Sequence, residues 1–351
     1  MSTGPAARIE RLRASLDERL LVTNLVNVRY LTGFEASNAA LLVDPDGGAG
    51  LYTDFRYIEA AQAVEGVEAH QAKRTLLADL AERLEGRVGF EADVLPYAQV
   101  ETLRAAGLEL VPTSGVVESL RAIKDAGEIE TTARAARAAE WAFEALTAET
   151  WIGRSERELA WRLRQLMHAH GVDELSFDTA IAAGANASKP HAEPSEAIVG
   201  EHTLVVADFG ARVDGYCSDC TRTVSTGKNL SRELRRAYDV CLEAQLAACE
   251  GIRPGMTGHE ADAVARSIIA EAGYGDAFGH GLGHGVGLAI HEAPRLAPES
   301  EDVLEPGNIV TIEPAIYLPG VGGVRIEDLA VVREDGVQLL TSFPKELTSV
   351  S

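Results

Sequence analysis

Two stretches of this sequence set acidic residues inside otherwise apolar β-type runs, and that limits what the chain can fold into more than any other feature. The run Leu204-Val205-Val206-Ala207-Asp208 ends in an acid, meets a turn signal at Val213-Asp214-Gly215, and returns through Asp219. The run Ile309 to Tyr317 carries Glu313, turns at Leu318-Pro319-Gly320, and returns from Val324 to Val332 through Glu327. A carboxylate buried on such a strand is costly unless it is protonated, hydrogen-bonded or beside a cation. Centring the first turn between Val213 and Asp214 predicts Asp208 directly opposite Asp219. Centring the second on Gly320 predicts Glu313 opposite Glu327. Directly opposed residues have Cβ atoms ~4.5–5.5 Å apart, so each pair repels unless one acid keeps its proton or a cation sits between them. One pair could be a surface coincidence. Two in one domain are poorly explained as a solvated face.

Histidines supply a further element. Gly279-His280-Gly281-Leu282-Gly283-His284-Gly285-Val286-Gly287 alternates glycine with other residues, and His291-Glu292 follows. Alternating glycine builds no core but permits close backbone approach. Histidine is a common metal ligand and acid–base group. A lone histidine is more often structural, but this cluster in a glycine-rich loop favours a site. Asn186-Ala187-Ser188-Lys189-Pro190-His191 adds another in a loop-like stretch. His70, His168, His170, His202 and His259 lie in helical or polar contexts and read as surface or packing residues. Carboxylates with imidazoles suit Mn²⁺, Co²⁺ or Zn²⁺, and the lack of cysteine among the candidates argues against a structural zinc site. Cys217-x-x-Cys220 has no second such pair and reads as packing, as do Cys241 and Cys249.

The chain has 351 residues and a formal net charge of −22. That length suggests two domains. The charge argues against nucleic acid or an anionic membrane surface as partner, since both need clustered Lys and Arg. No apolar run approaches the ~18 residues of a membrane span, and the first residues lack the pattern of a secretory signal. A reducing, cytoplasmic setting is expected. Strands are expected at Leu20 to Val22, Ala39 to Val43 and Val88 to Phe90, with helices over Arg56 to Val64, Leu76 to Leu84 and Gln99 to Ala105. Asp46-Gly47-Gly48 reads as a turn between two strand-like runs. Long helices follow from Glu128 to Thr147 and from Ser155 to His170, the second opened by a Ser155/Glu158 capping box. Strands and hairpins dominate from Phe177, broken by helices near Ser231–Cys249 and Thr257–Ala272. The class is therefore α/β (α+β), with domains at residues 1–120 and 121–351.

Taken together these motifs resemble the pita-bread metallopeptidases, and within them the Xaa-Pro peptidases, aminopeptidase P and prolidase. The resemblance rests on Asp208-Phe209-Gly210, Gly215 to Thr223, Gly279 to Glu292, Thr311-Ile312-Glu313-Pro314 and Gly323 to Asp328, in family order. Asn27 to Phe34 and Thr53 to Tyr57 look like a creatinase-type N-terminal domain. The resemblance implies a creatinase-like α/β domain followed by a pita-bread catalytic domain. It implies two divalent ions, Mn²⁺ first and Co²⁺ or Zn²⁺ otherwise, on Asp208, Asp219, His284, Glu313 and Glu327, with Asp219 and Glu327 shared. It also implies that His191 and His291 contact substrate and stabilise the tetrahedral intermediate, with His280 nearby and Arg325 supporting the ligands. A homodimer acting on small peptides with proline second is the implied assembly and substrate class.

The chemistry agrees with that set. A two-metal centre acidifies a shared water and polarises a carbonyl. Glu313 is the candidate to take the water proton and pass it to the leaving proline nitrogen. Creatine amidinohydrolase shares the fold without the ligand set. Methionine aminopeptidase shares the ligands and usually lacks the front domain. A binding module without activity would be expected to have lost ligands. Within the family, Arg295 resembles the arginine with which prolidases hold the free proline carboxylate; otherwise it is a solvent-exposed loop residue. The compact length, with no insertion to cap the cleft, tilts the expectation towards an aminopeptidase.

Overall fold

The structure, a computed structural model, describes residues 4–227 and 229–351. The chain divides into two compact units, one ending at Arg121 and the next beginning at Ala122. Among the described residues the first unit is built on one mixed sheet. Its strands are β1 (Leu20–Val22), β2 (Ala39–Val43), β3 (Ala49–Thr53), β4 (Glu68–Gln71), β5 (Arg87–Glu91) and β6 (Glu109–Thr113), in the order β4-β3-β2-β1-β5-β6. Helices Leu76–Arg83 and Tyr97–Ala105 bury Leu80, Val100 and Leu103 against Leu21 and Val88. The helix expected over Arg56 to Val64 spans only Ile58–Ala61. Asp54 explains the late start. Its carboxylate accepts from the backbone N–H and the guanidinium of Arg56, at 3.0 and 2.9 Å, and folds this stretch into a turn.

The second unit opens with α1 (Ala126–Thr147) and α2 (Glu156–Ala169), each started by a capping box, Asp125 with Glu128 and Ser155 with Glu158. Phe143, Leu159 and Leu163 on these helices pack on Ile181, Val205 and Phe209. The strands that follow are β7 (Ala180–Ala183), β8 (Leu204–Phe209), β9 (Ala211–Val213), β10 (Tyr216–Cys217) and β11 (Cys220–Thr226). After α3 (Arg232–Gly251) and α4 (Gly258–Glu271) come β12 (Gly283–Gly285), β13 (Glu292–Leu296), β14 (Ile309–Ile312), β15 (Ala315–Leu318), β16 (Gly322–Arg325), β17 (Asp328–Arg333) and β18 (Gly336–Leu339). One sheet sets β8 between β7 and β11, another runs β13-β12-β14-β17-β18, and β15 pairs with β16. Helices α3 and α4 cover the latter elements through Leu234, Tyr238, Ile269, Ile316 and Val324. No helix among the described residues is long and apolar enough to cross a membrane.

The two acid-bearing hairpins differ in how they keep register. β8 and β11 pair with Asp208 opposite Thr221, which corrects the expected opposition of Asp208 and Asp219. The loop is the dipeptide Asp214-Gly215, with φ of 49° and 88°. Positive φ at both central residues is the type I′ turn that hairpins favour. It pairs Val213 with Tyr216 and displaces the register by two residues. A displacement of two leaves every side chain on its original face. The second hairpin holds the expected register on both sides of a break, with Ile312 opposite Asp328 and Ala315 opposite Arg325. The strand expected from Ile309 to Tyr317 is interrupted at Glu313-Pro314, where Pro314 has no N–H for a ladder bond. There the Glu313 N–H turns to the Leu282 carbonyl at 2.8 Å and the Glu327 N–H to the Thr221 carbonyl at 3.1 Å. The break thus docks the second hairpin onto β11 and the glycine-rich loop.

Candidate metal centre

Asp208, Asp219 and Glu327 bring ligating oxygens within 4.8 Å of one another. Asp219 and Glu327 are buried, and Asp208 is partly so. Burial first, and then the neighbouring acids, push the Asp219 and Glu327 carboxyls well above the usual carboxylate range, while Arg325 opposes the rise. Glu313 is also pushed up by burial and held back by Arg325. Thr221 donates to Glu327 Oε2 at 2.7 Å and Thr311 to Glu313 Oε1 at 2.9 Å, fixing both side chains.

His284 projects from β12 towards these acids. A Cβ on Gly283 would strike the Thr311 carbonyl, and one on Gly285 the Ala293 carbonyl, so only glycine lets β12 lie this close to its neighbours. His284 Nε2 stands 3.4 Å from Glu313 Oε1 and 3.7 Å from Asp219 Oδ2. Its Nδ1 faces the Gly285 carbonyl at 3.0 Å. A carbonyl only accepts, so Nδ1 carries the proton of the neutral ring and Nε2 presents a lone pair. Burial lowers the pKa of His284 and favours that neutral ring.

Arg325 is the buried cation of the cluster. It pairs with Asp208 Oδ2 and donates to the Thr221 hydroxyl at 3.0 Å, the Tyr317 hydroxyl at 2.9 Å and the Pro190 carbonyl at 3.2 Å. Tyr317 in turn meets His280 Nε2 at 3.1 Å, and burial pushes the Tyr317 phenol up to about 12. His291 packs on His284 with ring centroids 4.4 Å apart, and burial first, then the neighbouring His284, lowers its pKa.

All ten residues singled out in the sequence line one cavity of about 390 Å³: His191, Asp208, Asp219, His280, His284, His291, Arg295, Glu313, Arg325 and Glu327. Arg295 is exposed on its wall and pairs with Glu299 at 3.0 Å. Phe177, Ile290 and Ala297 add apolar lining. Sequence reasoning missed Thr221, Thr311 and Tyr317, which orient the charged groups. It also missed a buried ion pair beside His291, Lys124 Nζ to Glu292 Oε1 at 2.6 Å. The four cysteines are free, and Cys217, Cys220 and Cys241 are buried, in keeping with packing.

The donors fit a divalent cation. Asp208 Oδ1 is buried yet has no hydrogen-bond partner among the described residues. The Nε2 lone pair of His284 and the crowded carboxylates face one another, an arrangement that a cation between them turns from repulsive to attractive. The candidate donors are oxygen and nitrogen throughout, with no thiolate.

Fold and site together define a metal-dependent peptidase. The chain belongs to metallopeptidase family M24, which it matches over residues 130–334, preceded by a creatinase/prolidase N-terminal domain over residues 8–123. It is 38% identical to the Xaa-Pro dipeptidase of Pyrococcus furiosus over 97% of this chain and 99% of that protein. The structure of Xaa-Pro dipeptidase from Bacillus anthracis aligns with a TM-score of 0.95 at 41% identity, covering 99% of this chain and 100% of that one. The X-Pro aminopeptidase from Thermotoga maritima aligns with a TM-score of 0.89 at 32% identity, over 98% and 100%. The second unit therefore has the pita-bread fold.

Proposed function

We propose that this metallopeptidase is an Xaa-Pro dipeptidase. The observation that carries this reading is Arg295 on the wall of the cavity that holds the acid cluster. A free proline carboxylate needs a cation within reach, and a planar guanidinium can hold it through two parallel hydrogen bonds. The dipeptidases of P. furiosus and B. anthracis support the same choice, and it takes precedence over the aminopeptidase expectation. Asp208, Asp219, His284, Glu313 and Glu327 would hold two divalent ions, Mn²⁺ first. Bound there, the ions would supply Lewis acidity and an acidified water.

The chain's own residues do the rest. His191 and His291 donate to the carbonyl oxygen of the Xaa-Pro bond as negative charge develops on it. Glu313 receives a proton on its carboxylate and delivers it to the proline nitrogen as the bond breaks. Arg325, braced by Thr221 and Tyr317, keeps Asp208 in place. Phe177, Ile290 and Ala297 give the pyrrolidine ring an apolar wall.

A second reading, Xaa-Pro aminopeptidase, is favoured by the T. maritima neighbour and by the exposure of Arg295. Hydrolysis of Ala-Pro beside Ala-Pro-Ala-Ala, with Mn²⁺ and with chelator, separates the two. The dipeptidase cleaves Ala-Pro alone, and Arg295→Ala raises its KM roughly 10- to 100-fold, matching the about 1.5–3 kcal/mol that a hydrogen bond to a charged group contributes. Preferred cleavage of the tetrapeptide, indifferent to Arg295→Ala, would make it the aminopeptidase.

A further inference from the structure

His191 is exposed, and it sits on a loop with little regular structure between β7 and β8. Its position therefore depends on what pins that loop. One pin lies on the cavity side, where the Arg325 guanidinium donates to the carbonyl of Pro190. The other is a single fully buried carboxylate, Glu156, the first residue of α2.

Glu156 accepts four hydrogen bonds from three residues, one at the end of β7 and two along the loop. Its Oε1 takes the backbone N–H of Ala183 at 2.7 Å. Its Oε2 takes the Asn186 side-chain amide at 2.8 Å, the Ser195 backbone N–H at 2.9 Å and the Ser195 hydroxyl at 2.6 Å. Ala183 and Asn186 precede His191, and Ser195 follows it. The carboxylate thus clasps the loop on both sides of the histidine. Backbone bonds reinforce the same closure, from the Glu156 N–H to the Ala197 carbonyl and from the Arg157 N–H to the Ser195 carbonyl, each at 3.1 Å. The negative charge is stabilised by these donors and by the N-terminus of α2.

We infer that Glu156 is a positioning residue for catalysis, a buried clasp that sets where His191 stands over the substrate. This rests on the proposed role of His191 as a substrate contact. Glutamine at 156 keeps the shape but turns an N–H₂ towards donors, so at least one bond becomes a donor–donor clash. The loop ends then separate, and misplacement of a contacting group by about 1 Å can lower turnover as much as 100-fold.

The test is a double-mutant cycle on the Mn²⁺-loaded enzyme with Ala-Pro, together with amide hydrogen exchange over residues 184–195. Glu156→Gln is expected to lower kcat/KM roughly tenfold or more, within that limit, and to speed exchange across the loop while metal content stays at the parent level. In a His191→Ala background the same substitution should change kcat/KM by no more than about twofold, because residues acting through one another are not additive. An equal loss in both backgrounds, or no loss in either, overturns the inference. If His191→Ala itself leaves kcat/KM unchanged, the role of His191 falls first and this inference with it. Should Glu156→Gln fail to fold, Asn186→Ala removes one strand of the clasp and is scored in the same cycle.

Discussion

Arg325→Met tests whether one buried cation keeps the acid cluster folded. Arg325 is only 7% exposed, and its guanidinium satisfies Asp208, Thr221, Tyr317 and Pro190 at once. Methionine fills much of the volume and returns none of these bonds. Removing one partner of a buried ion pair costs about 3–5 kcal/mol, because the other charge is left uncompensated. For a unit of this size each kcal/mol moves Tm by about 2–4 °C, so the metal-free variant should melt roughly 6–20 °C below the parent. The Mn²⁺-loaded variant should lose less, since a bound cation still faces Asp208. Arg325→Lys keeps the charge but cannot fork to several acceptors, and should fall in between. Scanning calorimetry of chelated and loaded protein at pH 7 reads all of these. A metal-free Arg325→Met protein melting within about 2 °C of the parent, less than one kcal/mol, would refute the reasoning.

Metal removal should also expose a pH dependence. Asp219 and Glu327 have folded pKa values raised above their unfolded ones, so the folded state binds more protons. That contribution is fully present below the unfolded values, about 4, and is lost as pH rises through the raised ones. The gap in Tm between Mn²⁺-loaded and chelated protein should therefore widen from pH 5.5 to pH 8; a gap that narrows contradicts the crowding of these acids. Glu327→Ala should abolish metal binding and hydrolysis together, read by elemental analysis and by Ala-Pro turnover, and full activity in that variant would sink the ligand assignment. His291→Ala should keep its metal and lose roughly 100-fold in kcat, the cost of one oxyanion donor; loss of the metal instead would make His291 a ligand.

Much of this architecture was legible because local chemistry and tertiary structure agree. Ser155 and Glu158 start α2 where their spacing says a helix should start. Gly320, with φ of 76°, fixes the second hairpin and keeps its register through the break at Glu313. The first hairpin misled because the turn was centred one residue too early. The pair Asp214-Gly215 takes both positive-φ positions, and this moved the partner of Asp208 from Asp219 to Thr221. The face was still right, because a displacement of two residues preserves it. Thr221, Thr311 and Tyr317 carry no sequence signature as orienting groups. A threonine or tyrosine on a strand reads as ordinary β composition until its partner, brought from a distant segment, is known. Glu156 was hidden for the same reason, since its first position in a helix already explains an acid.

The proposed ligands lie far apart along the chain, and this bears on how the protein matures. Asp208 is held by Arg325, 117 residues later, and Thr221 by Glu327, 106 residues later. During synthesis from the N-terminus, Asp208 and Asp219 emerge long before His284, Glu313 and Glu327 exist to join them. Two isolated acids make a poor cation trap, and closing loops of this length is among the slower events in folding. Ions held by the proposed ligands would therefore not template the early chain. On the proposed ligand set, loading would follow the docking of the last hairpin, and occupancy of the centre would mark a folded catalytic unit.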